Sequence, residues 1–159
     1  MKLNYNFGGF FITIALLFFT SSVFAFTIST EGDNSNPVKW HDYLILFEIN
    51  LYGSDDISDG SDLAAVRKSV KAWNNVACSY IEMEEQEMTD ETDVILTTNR
   101  GDGINRITWI EDNRWTYGAY VLGITTPMYE RGTGRVFEAD IAFNGYMTTW
   151  STDGDMIGT

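Results

Sequence analysis

One histidine, one cysteine, two prolines and ten basic residues are all that a 159-residue chain holds of those types. Each scarcity excludes something. A catalytic zinc usually takes three protein ligands, often histidines, and keeps a fourth position open for water. The single histidine, His41, stands between Trp40 and Asp42 ahead of an apolar run, and no H-E-x-x-H occurs, so no helix carries paired ligands and a general base. No catalytic residue and no metal ligand is therefore assigned in this chain. A serine or cysteine nucleophile needs a base within hydrogen-bond reach. His41 is the one candidate, and nothing in the spacing brings it to Cys78. One cysteine can form no disulfide within the chain. Cys78 follows a helical pattern whose C-terminal dipole disfavours a thiolate, and it is expected to be a buried thiol. Ten basic against 23 acidic side chains give a formal charge of −13. Phosphate contacts need Lys and Arg, so the chain is expected to bind no nucleic acid.

Acid is what the sequence has in plenty. "SDDISDGSD" carries Asp55, Asp56, Asp59 and Asp62, and "NRGDGIN" carries Asp102. Their oxygens suit calcium, although neither loop has the EF-hand spacing, and solvated loops are the plainer expectation. Glu138 and Asp140 are two residues apart in an extended pattern and so share one face. Paired carboxylates of this kind can serve acid–base hydrolysis, but the face is expected to be solvated or to hold an ion.

The N-terminus holds the one sustained apolar run. In "MKLNYNFGGFFITIALLFFTSSVFA" a single positive residue, Lys2, precedes the run Phe10 to Phe19, and small or apolar residues flank a cut after Ala25. This is the layout of a secretory signal peptide. The run is short for a membrane span, which needs about 20 residues. The exported protein is then secreted, extracellular or periplasmic, with no membrane attachment after cleavage. Lys2 is the only charged side chain removed, so the charge moves from −13 to −14. Residues 26–39 form a polar lead-in, and the domain proper spans 40–159.

Within that domain, "HDYLILFEIN" alternates Tyr43, Ile45, Phe47 and Ile49 with Leu44, Leu46, Glu48 and Asn50, which reads as a strand with one apolar face. In "SDLAAVRKSVKAWNNVA", Leu63, Val66, Val70, Trp73 and Ala77 recur at three and four, the stripe of an amphipathic helix capped by Ser61. "CSYIEMEE" and Asp93 to Asn99 read as further strands, and "RITWIED" as a short strand or an extended loop. "AYVLGITTPMY" is a strand interrupted by Gly123 and closed by Pro127; "ERGTG" is a turn; "RVFEADIAFN" is the last strand. Strand, helix, strand predicts a parallel pair with a crossover helix, and the last two strands are expected to be antiparallel neighbours. The fold expected is α+β, a twisted mixed sheet of about five strands on one long helix.

"YVLGITTPMYERGTGRVFEADIAFNGYMTTW" resembles the edge strand, turn and fifth strand of matrixin-like zinc peptidases of the metzincin group. "LILFEIN" is similar to that family's first strand, "DLAAVRKSVKAWNNV" to its first long helix and "DVILTT" to its third strand, so the likeness runs from Trp40 to Trp150. It implies the upper subdomain of a metzincin and, in the intact family, peptide-bond hydrolysis by zinc-bound water. In such proteins the helix carrying H-E-x-x-H-x-x-G-x-x-H follows the fifth strand. The chain is thus expected to be the N-terminal part of a secreted zinc endopeptidase, inactive alone, with zinc expected only for the intact family. Two family features are missing: histidines for a structural zinc around the last strands, and a cysteine-switch propeptide. The resemblance also implies that an extended peptide adds to the edge strand at Leu122, Gly123, Ile124 and Thr125, with Gly123 admitting the substrate backbone. The alternative reading is a non-enzymatic secreted module that holds a peptide or protein through the same edge or its acidic surface.

N-terminal sequencing of exported material is expected to begin at Phe26. Met1 on a membrane-bound form would contradict the leader.

Overall fold

The computed structural model describes residues 28–32, 36–92 and 101–154. The leader and the run Asp93 to Asn99, read above as a strand, lie outside the described residues. Among the described residues, eight strands and one helix follow in order: β1 (Thr30–Glu31), β2 (Asn36–Pro37), β3 (Lys39–Trp40), β4 (Leu44–Ile49), α1 (Ser61–Asn74), β5 (Glu82–Glu85), β6 (Asn105–Ile110), β7 (Gly123–Tyr129) and β8 (Arg135–Asn144). The architecture is α+β, with one helix on a mostly parallel sheet. β1 and β2 form a separate antiparallel pair. The six-stranded sheet runs β3-β8-β6-β4-β5, with β7 paired to β8 off that path.

Strand alternation explains the placement. In β4, Ile45, Phe47 and Ile49 are buried and face α1, while Tyr43 lies before the strand and is exposed. β5 returns parallel to β4, as a strand–helix–strand unit requires. "RITWIED" resolves as β6, and it is central: it runs parallel to both β4 and β8. Among the described residues, β8 is shared by more neighbours than any other strand. β7 runs antiparallel along it from Gly123↔Phe143 to Tyr129↔Val136, and Arg135 and Val136 at its start also meet β3. Phe137 has no partner across the register shift after Met128, which marks a bulge.

Two apolar clusters sit on opposite faces of the sheet. On one, Phe47, Ile49 and Ile107 receive Leu63, Val66 and Val70 of α1, with Ile141 and Phe143 of β8. On the other, Ile110, Trp115 and Ala142 pack with Val121 and Ile124. No helix among the described residues is long and apolar enough to cross a membrane.

Several local expectations are corrected. The N-cap of α1 is Gly60, at φ 74°, and not Ser61. The Asp59 carboxylate accepts the Ser61 amide at 3.0 Å, and the Ser61 hydroxyl pairs with that of Thr152. Trp73 is 69% exposed, and Ala77 falls beyond the helix. Asn74 does more than end the helix: its side chain donates to the Met83 carbonyl at 2.8 Å and accepts the Met83 amide at 2.9 Å, stitching α1 to β5. Cys78 is exposed and not buried. Pro127 lies inside β7 and does not close it.

Candidate functional site

β7 forms an edge among the described residues, because its one strand partner is β8. Which of its main-chain groups face outward follows from register. The Asn144 amide donates to the Leu122 carbonyl at 2.9 Å, so Leu122 and Asn144 are a hydrogen-bonded pair. Antiparallel pairs alternate between bonded and non-bonded. Leu122, Ile124, Thr126 and Met128 therefore turn their main-chain groups toward β8. Gly123, Thr125 and Pro127 turn theirs away. A check from the other strand agrees. The Ala139 amide, opposite Pro127, donates away from β7, to the Asn105 side chain at 2.7 Å. Pro127 thus sits where its missing N–H breaks no bond to β8, and it ends the row of free donors.

The four residues singled out from the sequence divide accordingly. Gly123 and Thr125 offer free N–H and C=O groups outward. Leu122 gives its carbonyl to β8 and leaves an exposed side chain, while Ile124 packs against the Trp115 cluster. Gly123 also has an internal reason. A Cβ there would stand 3.1 Å from Phe143 Cδ1 and 3.2 Å from the Ala142 carbonyl oxygen. A side chain at this position would therefore crowd the Phe143 ring and the Ala142 carbonyl.

Behind this edge lies a row of buried polar side chains on β8 that the sequence reading expected to be solvated. Glu138 is fully buried, and Asp140 and Asn144 are buried beside it. The reason is that loops cover this face. The Gly103 amide donates to Glu138 Oε2, and the Glu138 carboxylate fills the space where a Gly101 side chain would be. The Arg106 amide donates to Asp140 Oδ1 at 2.9 Å, and its guanidinium lies 3.5 Å from both Glu48 and Asp102. Asn144 donates to the Val121 carbonyl at 3.0 Å and accepts the Met147 amide at 2.9 Å. Its own carbonyl takes the Trp150 indole N–H at 2.8 Å. Along the tail, Tyr146 and Met147 are exposed, whereas Trp150 is half-buried against Phe143.

Glu138 Oε1 has no hydrogen-bond partner. Burial pushes its carboxyl above the ordinary range, more than the Gly103 amide holds it down, and nearby Asp140 and Asp102 push the same way. Burial likewise raises Glu111, which accepts the Asp55 amide at 3.0 Å. The acidic loop before α1 is folded onto main-chain amides. Asp62 accepts Ser54 at 2.7 Å, Asp59 accepts Ser61, and Asp56 accepts Trp150 at 2.9 Å. No group of three or more His, Cys, Asp or Glu among the described residues is arranged to hold a metal, and His41 and Cys78 are both exposed. The residues described thus do not fit the zinc that the family resemblance implies. The signal that sequence reasoning missed was the pairing of glycines with carboxylates: Gly53 with Asp62, Gly101 with Glu138 and Gly145 with Glu111.

No protein-family model, no curated protein and no solved structure matches this chain.

A carboxyl raised on folding binds its proton more tightly in the native state, so its contribution to stability is full at acid pH and fades as pH rises through the folded value. Glu138→Gln, an isostere of the protonated form, is expected to melt close to the wild type near about pH 4. It should gain on the wild type as pH rises toward about 8, by about 1 kcal/mol. Melting curves across that range test this, and a difference independent of pH would contradict it.

Proposed function

We propose that β7 is a docking strand for an extended peptide, on the scaffold of a secreted, matrixin-like (metzincin) zinc endopeptidase of which the described residues form the substrate-docking part. The observation that carries this reading is the outward row of main-chain groups at Gly123 and Thr125, backed by a full antiparallel pairing to β8 and bounded by Pro127. An added strand would take the Gly123 and Thr125 amides as donors and their carbonyls as acceptors, and main-chain bonds of this kind supply affinity without reading sequence. The order of the last two strands supports the reading too. An edge strand followed by a turn and a long inner strand is the arrangement that the resemblance implied. Peptide-bond hydrolysis belongs to that family as a whole. Here the described residues hold and orient a peptide, and no group of three or more His, Cys, Asp or Glu among them is arranged to hold a metal.

A second reading, a peptide- or protein-binding module without catalysis, is favoured by the same missing donor set. The second reading uses the same edge or the acidic surface, and both place the protein outside the cell membrane, after removal of the leader. They part on whether a docked peptide is cut.

Thr125→Pro removes one outward donor and no bond to β8. It is expected to weaken binding of a capped, lysine-ended extended peptide about tenfold, the loss of one hydrogen bond to a docked strand, with little change in melting temperature. Thr126→Pro removes an inward donor opposite Asp140 and should lower stability by about 1–3 kcal/mol. Titration calorimetry and melting curves on both variants check this. Unchanged peptide affinity in Thr125→Pro would sink the docking strand.

A further inference from the structure

The edge of β7 also carries a gap in its row of side chains, at Gly123. Gly123, Thr125 and Pro127 oppose Phe143, Ile141 and Ala139 of β8, and directly opposed residues share a face. That face is the α1 side, since Ile141 and Phe143 pack there with Leu63, Val66 and Val70. At Gly123 the face has no side chain of its own. The Phe143 ring reaches into the gap, with Cδ1 and Cε1 at 3.1 and 3.6 Å from where a Cβ would stand. The ring is held from behind. Trp109 lies with its centroid at 4.9 Å, tilted 37°, and Trp150 at 5.4 Å, edge-on at 68°. Trp109 is buried and keeps its indole nitrogen without a partner, so this cluster is fixed by ring packing.

We propose that Gly123 and Phe143 form a subsite that selects a peptide with an aromatic side chain at the residue docked opposite Gly123. This rests on β7 being a docking strand and adds what the strand prefers. In an antiparallel addition, Gly123 exchanges both its outward hydrogen bonds with one peptide residue. That residue sends its side chain to the α1 face, over the bare Gly123 backbone and against the Phe143 edge. A large ring there covers the glycine and completes the aromatic row, the arrangement by which a cross-strand aromatic compensates an edge glycine. Offset and edge-to-face ring pairs add about 0.5–1.5 kcal/mol beyond area burial, which with the buried area amounts to roughly tenfold in affinity over alanine. An acidic residue at this position would be desolvated without a partner, on a chain that is already strongly acidic.

The test titrates the exported chain with four capped peptides, acetyl-Lys-Thr-Val-Thr-Xaa-Thr-Val-Thr-Lys-amide, with Phe, Leu, Ala or Glu at Xaa. Affinity should fall in the order Phe, Leu, Ala, Glu, with Phe about tenfold tighter than Ala. In Phe143→Leu the preference for Phe over Ala should shrink to less than about threefold, with the Ala peptide binding as before. Should that variant not fold, NMR of the wild-type complex decides. Contacts between the peptide ring and the Phe143 ring are expected, and their absence overturns the subsite. Equal affinity for all four peptides also overturns the subsite while docking on β7 stands. No binding by any of them overturns the docking strand and the subsite together.

Discussion

β8 is the constraint on which the rest of the structure depends. Its main-chain groups alternate in direction, and both directions are used: one set bonds β7, and the other meets β6 along the last four residues. Its side chains alternate as well. Ile141 and Phe143 face α1 and close the larger core, while Ala142 joins Ile110 and Trp115 on the other side. A one-residue slip would put Glu138 and Asp140 into the helix-facing core and lift Ile141 and Phe143 out of it. The polar row therefore specifies register at least as strongly as the apolar one. Glu138 and Asn144 each take a main-chain partner from a loop and Asp140 takes the Arg106 amide of β6, so the same strand that defines the sheet also holds down segments that cover it.

That arrangement explains why a strongly acidic chain buries carboxylates. Buried charge is unfavourable unless paired or bonded. Asp62 and Asp140 are satisfied by amides, and three glycines supply the space that carboxylates occupy. Glu138 is the exception, with one oxygen unpartnered, and burial raises its proton affinity. The edge strand inherits its order from this underlayer, because each inward group of β7 is fixed by β8. What faces outward at Gly123 and Thr125 is presented by a strand paired to β8 along its inner side.

Much of this was legible in the sequence where alternation was clean. "RVFEADIAFN" proved to be β8 over its whole length, and the parallel β4 and β5 pair followed from a strand, an amphipathic helix and a strand. The antiparallel β7 and β8 pair followed from the glycines of "ERGTG". Legibility failed where burial was polar. "RITWIED" reads equally as strand or loop because Arg106 and Thr108, like Asn105 before them, break an apolar pattern. Their partners, Leu46, Asp140 and Glu48 among them, are distant in sequence. Glu138 looked solvated for the same reason: nothing local announces that Gly101 and Gly103 will cover it. The edge position of Gly123 and Thr125 could be read only through the family resemblance. Their division from Leu122 and Ile124 needed the register, which a single chain of letters does not contain.

The central claim is that Gly123 and Thr125 turn free amides outward while Ile124, Thr126 and Met128 are bonded to β8. Residue-resolved amide hydrogen exchange measures this directly. In the free protein the Gly123 and Thr125 amides should exchange orders of magnitude faster than those of Ile124, Thr126 and Met128. A saturating extended peptide should slow those two and leave the inward three as they were. Alternating protection that the peptide deepens at Gly123 and Thr125 is the result expected. Uniform protection along β7, or peptide-induced slowing confined to other parts of the sheet, would contradict the account.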